Sequence, residues 1–76
     1  MNAARRKTIQ EIINDVEELK SRIETVKDEE EEAFDNLPEG LQMSERGEAM
    51  EAAADSLDSA FGSMEEVLEY LTAAME

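Results

Sequence analysis

Two stretches of seven-residue apolar repeat, one on each side of a single proline, leave this chain little choice of fold. Ahead of Pro38, Ile9, Val16 and Ile23 recur at every seventh position, and Ile12, Leu19 and Val26 interleave with them at alternating steps of three and four. Ile13 widens that seam at one end. Behind the proline, Met43, Met50, Leu57, Met64 and Leu71 keep the same step, with Ala53, Ala60, Val67 and Ala74 interleaved. A third row, Ala54, Phe61, Leu68 and Met75, lies alongside. This is the period of a helix and not of a strand. The residue before a proline avoids helical backbone, so a first helix is predicted over residues 3–36, a turn over 37–43 and a second helix over 44–75. Each helix would run about 45 Å at 1.5 Å per residue. Equal helices joined by a short Pro/Gly segment read as an all-α, antiparallel two-helix hairpin.

Local chemistry agrees with that division. Ser44 has the form of an N-cap, with Glu45 and Glu48 favourable at the positive end of the helix. Thr8 with Glu11 resembles a capping box, so the first helix starts there, or at Asn2 if Ala3–Lys7 is helical. "LPEGLQ" suits a single helical turn with Pro38 first. Gly47 and Gly62 each lower helix propensity by about 1 kcal/mol; at Gly62 either a close helix approach or a merely tolerated weakness fits the pattern. Met43, Met50, Met64 and Met75 are expected on the wide apolar face, with Phe34 and Phe61 in the core and Tyr70 reaching solvent.

Three apolar positions per heptad make a wider face than one partner helix covers. A 76-residue chain is also short for a self-sufficient core. With no cysteine and no histidine, neither a disulfide nor a His- or thiolate-bound metal can supplement it. The expected remedy is a homodimer, two hairpins forming a four-helix bundle. No apolar run reaches bilayer length and the start, "MNAARRKTIQ", has no signal-like apolar region. The expectation is a cytoplasmic protein without membrane contact.

Charge is the second constraint. The net charge is −14. Residues 1–27 hold six bases and five acids, whereas residues 28–76 hold sixteen acids and one base, Arg46. Direct binding of nucleic acid is not expected of such a surface, because phosphate is bound by Lys and Arg. A cationic partner is. Enzymatic chemistry finds little to work with. "DEEEEAFDN" (28–36) lacks the ligand spacing of a calcium loop, and a di-iron bundle needs histidines. There is no phosphate-binding glycine loop and no nucleophile elbow. Neither cofactor nor metal is expected.

The region between the helices carries several costly choices. Asp28–Glu32 is a run of five acids, so one must face the seam. Extending the first seam by sevens reaches Glu30, and extending the second backward reaches Arg46. If residue i faces residue 79 − i, the two lie within a turn of each other, and a Glu30–Arg46 ion pair would set the register. Asp35 and Glu32 are rival partners of Arg46. The tip is also a candidate partner-binding surface, made of Asp28, Glu29, Glu31, Glu32, Asp35, Glu39 and Arg46.

Through "VKDEEEEAFDNLPEGLQMSERGEAMEAAADSLDSAF", and most specifically "AFDNLPEGLQMSERGEAM", the chain resembles a group of small uncharacterised acidic proteins of phages and prophages of gut Firmicutes. The resemblance implies a small phage accessory protein acting in the host cytoplasm, of a kind that often interferes with host defence. It implies no residue roles.

Three functions fit these features. One is an inhibitor that offers phosphate-like charge to a basic host protein, such as a nucleic-acid-binding or defence protein. Another is an oligomeric sponge for a small signalling nucleotide, held by Arg5, Arg6, Lys7 and Arg46. The third is a structural or regulatory adaptor.

Overall fold

The computed structural model describes all 76 residues. It contains α1 (Ala3–Asp35), a single-turn α2 (Glu39–Gln42) and α3 (Glu45–Ala74). There is no strand. α1 and α3 pack antiparallel into a rod measuring 58 × 14 × 12 Å.

Capping residues set the helix ends. Asn2, not Thr8, begins α1: its side-chain oxygen accepts from Arg5 N–H at 2.8 Å. The Thr8 hydroxyl lies inside the helix and donates to the Ala4 carbonyl at 3.2 Å. α1 stops at Asp35, two residues before the pre-proline position that disfavours helical backbone. Pro38 is the N-cap of α2 and not its first residue, and its carbonyl accepts from Leu41 and Gln42 N–H. The Gln42 amide donates to the Phe34 and Leu37 carbonyls at 3.2 and 3.3 Å, tying α2 to the end of α1. Ser44 caps α3 by accepting from Gly47 N–H at 3.4 Å, and its hydroxyl donates to the Leu41 carbonyl.

The two helices meet on rows that differ in part from the repeat read off the sequence. On α1 the covered positions are Ile9, Ile13, Val16, Lys20, Ile23, Lys27, Glu30, Phe34 and Leu37. On α3 they are Gly47, Met50, Ala54, Leu57, Phe61, Met64, Leu68, Leu71 and Met75. The row expected to complete the α1 seam lies outside: Ile12, Leu19 and Val26 are 42, 46 and 48% exposed. Ala53, Val67 and Ala74 are outside too, and Ala60 is half-covered. In both helices the central apolar row is shared, but the hairpin selects its neighbour on one side only. A helix in a two-helix unit has one partner and one contact stripe. Met43, immediately before α3, is 84% exposed, and Tyr70 is 76% exposed.

Lys20 pairs with Glu65 and Lys27 with Asp58, while Lys20 also lies over Phe61 and Arg6 reaches Met75, so facing residues sum to between 81 and 85 and not to 79. The shift arises because α2 and its flanks lengthen the turn. It places Arg46 at the end of α1 and not one turn from Glu30. Arg46 is exposed and forms no ion pair, so the expected Glu30–Arg46 contact is not made, nor is one with Asp35 or Glu32. Glu30 does occupy the seam, half-buried. Close approach at the tip uses Gly47: a Cβ there would strike the Gln42 backbone, with Gln42 Cα at 2.7 Å. Gly62 faces open space, and a Cβ there would meet no atom within 4 Å, so of its two readings the tolerated weakness holds and the close approach does not. The core is thin. Ile13 and Ala54 are its only buried apolar residues, at 5 and 8% exposure.

Candidate interaction surfaces

Packing on one stripe leaves the rod with two unlike edges. In α3 the seven-residue rows fall into two groups. Every acid of the helix lies on three adjacent rows, those of Glu51/Asp58/Glu65, Glu48/Asp55/Glu69 and Glu45/Glu66. The remaining rows are the two of the seam, the row Arg46/Ala53/Ala60/Val67/Ala74 and the row Ala49/Ser56/Ser63/Tyr70, and none contains a carboxylate.

On the acidic edge, Glu31 and Asp35 of α1 come together with Glu51 and Asp55 of α3. They rim a shallow concavity of about 430 Å³ floored by Phe34, Met50 and Ala54. No three carboxylates of the chain converge where a metal ion would sit. Farther along, two seam lysines reach this edge. Lys20 Nζ stands 4.8 Å from the centre of the Phe61 ring and 3.8 Å from Glu65. Lys27 Nζ donates to Asp58 Oδ1 at 3.3 Å. That hydrogen bond raises the Lys27 pKa above its ordinary 10.5. Partial desolvation opposes the rise, while the charges of Asp58, Glu31 and Asp28 add to it. Long stems lie over the apolar seam while the ammonium heads meet carboxylates at the rim. Sequence reasoning missed these lysines, although Ile13, Lys20, Lys27 and Phe34 form a seven-residue row.

The predicted tip residues divide between faces. Glu31 and Asp35 belong to the concavity, whereas Asp28, Glu29, Glu32, Glu39 and Arg46 are exposed without lining it. The cations of the nucleotide reading stand at opposite ends of the rod. Arg6 Nε donates to the Met75 carbonyl at 3.0 Å, tying the open end, with Arg5 and Lys7 beside it in sequence, while Arg46 is at the tip.

The other edge is apolar. Leu19, Ile23 and Val26 of α1 with Leu57 and Met64 of α3 form a groove, also about 430 Å³, whose single charged neighbour is Arg22. No helix is long and apolar enough to cross a membrane.

No protein-family model matches the chain, and neither a curated protein nor a solved structure matches it. Any functional reading therefore stands on these two edges.

Proposed function

We propose that this protein is a non-enzymatic interaction module that occupies a basic, nucleic-acid-binding surface of another protein, offering carboxylates where phosphates would lie. It acts as a homodimer of hairpins, in the cytoplasm of the host cell if it is phage-encoded. The observation that carries this reading is the confinement of every α3 carboxylate to three adjacent rows. Scattered charge would serve solubility equally well. Charge gathered along one side of α3, in a rod 58 Å long, forms a line of negative potential, which favours a positively charged groove and speeds encounter with it. Helices hold the spacing of those carboxylates with little entropy left to lose on binding.

The test is capture from host lysate by the parent protein and by a variant carrying Glu31→Gln, Asp35→Asn, Glu51→Gln and Asp55→Asn. Partners captured by the parent should elute with duplex DNA or RNA and with moderate salt. The variant should retain its helicity and capture them at least about tenfold less, the loss of roughly 1.4 kcal/mol of complementary electrostatics. Equal capture by both proteins, or resistance to nucleic-acid competition, would remove this reading.

A further inference from the structure

We propose that the apolar edge centred on Leu19, Val26, Leu57 and Met64 is where a second copy of this chain docks. The two rods lie antiparallel, so that the basic start of each α1 covers the acidic tip of its partner. This rests on the homodimer part of the reading above and adds the face and the orientation.

Exposure identifies the face. Leu19 and Val26 are large aliphatic side chains left nearly half exposed, side by side in a groove with three further apolar residues. Contiguous apolar surface of this kind on a small soluble protein marks an interface. Ile23, Leu57 and Met64 belong at once to the hairpin seam and to the groove. Stacking two grooves therefore makes that shared row the centre of a four-helix bundle, the position it holds in such folds.

Area is consistent with a second copy. The chain exposes 5582 Å², whereas a compact monomer of its mass exposes about 4,700 Å². The excess, roughly 900 Å², matches what one partner contributes to a standard interface, about 800 Å².

Charge selects the occupant and its direction. Two copies carrying −14 each repel wherever carboxylates face one another. The α3 side of this edge has none, and on the α1 row beside Leu19 and Val26 Arg22 stands between Asp15 and Glu29. Orientation follows from the uneven ends. On the α1 rows that bear this edge, Arg5 lies at the open end, in the row of Leu19 and Val26, and Glu29 lies toward the tip, in the adjacent row. Parallel rods would superpose two acidic tips, whereas antiparallel rods set bases against acids twice, once on each side of a two-fold axis.

Sedimentation equilibrium and spin-label distances test both parts. The parent should sediment at twice 8.5 kDa at micromolar concentration. Leu19→Glu with Val26→Glu should keep its helicity, since both sites are already exposed, and weaken the dimer at least about 100-fold by burying carboxylates. Glu51→Gln with Asp55→Asn, on the opposite edge, should remain dimeric. The chain has no cysteine, so Glu39→Cys gives one label per copy at the tip. The labels should lie near the full 58 Å of the rod apart. A parent that stays at 8.5 kDa overturns the dimer and the face together, leaving the groove to a partner of other chemistry. A dimer that survives Leu19→Glu/Val26→Glu overturns the face and spares the dimer. Labels within about 20 Å, two helix diameters, overturn the orientation. If the double variant loses helicity, Ala60→Glu, on the small-residue row that flanks Leu57 and Met64, takes its place. None of these outcomes depends on charge mimicry.

Discussion

At the residue scale, the two helical glycines of α3 make opposite demands. Both cost helix propensity relative to alanine, yet only Gly47 faces backbone at contact distance. Gly47→Ala should therefore destabilise the hairpin by about 1–3 kcal/mol, as overpacking does, despite the propensity gained. Gly62→Ala, with open space around it, should stabilise it by about 0.5–1 kcal/mol. Urea denaturation of the two variants reads both signs. Lys27 makes a different kind of prediction. Its folded pKa is raised by Asp58, so the folded chain holds this proton to higher pH than the unfolded chain. The contribution of the pair is complete below about pH 10 and is lost as the pH rises through the raised value. The difference in Tm between the parent and Asp58→Asn should be constant from neutral pH to about pH 10 and close above it. A difference that begins to close near neutrality would contradict the assignment.

At the element scale, stability depends on how few positions the helices cover between them. Ile13 is 5% exposed, whereas its neighbour Ile12 is 42% exposed. Ile13→Ala should cost about 2–4 kcal/mol, a large-to-small change in a covered site. For a chain of this size that lowers Tm by roughly 10 °C or more, measurable by circular dichroism. The same row explains the lysines. Ile13 and Phe34 anchor its two ends, and Lys20 and Lys27 fill the middle with stems that cover the seam and ammonium groups that leave it. The tip is organised by polar bonds and not by apolar burial. Gln42 serves the end of α1, Ser44 begins α3, and Gly47 lets the chain turn closely enough for both.

At the scale of the whole molecule, a net charge of −14 is spread over a rod only 12–14 Å across its short axes. Like charges on such a surface repel over distances that salt screens. Tm should therefore rise with added NaCl, and the fraction of the proposed dimer should rise with it. Calorimetry that shows no salt dependence would mean that the two ion pairs, Lys20–Glu65 and Lys27–Asp58, offset the repulsion locally. On α3 the division into acidic and apolar rows lets one small hairpin present two unlike surfaces.

Helical type, the number of long helices and the place of the break follow from the sequence alone. A seven-residue apolar period, a single proline and a serine cap are local signals, and each acts within a few residues of where it is written. Glu30 in the seam was legible for the same reason, as one more step of seven from Ile23. Periodicity could not say which of two neighbouring rows each helix would turn toward its partner. Ile12/Leu19/Val26 is the more apolar choice in α1, yet Ile13/Lys20/Lys27/Phe34 is the row covered. That choice belongs to the tertiary structure. It depends on the length of the turn, which sets which residues of α3 stand against α1. It depends also on the one-sided geometry of a two-helix contact, which leaves the second apolar row of each helix only partly covered. The position of Arg46 was decided in the same way: the turn places it at the end of α1, where it is exposed and pairs with no acid.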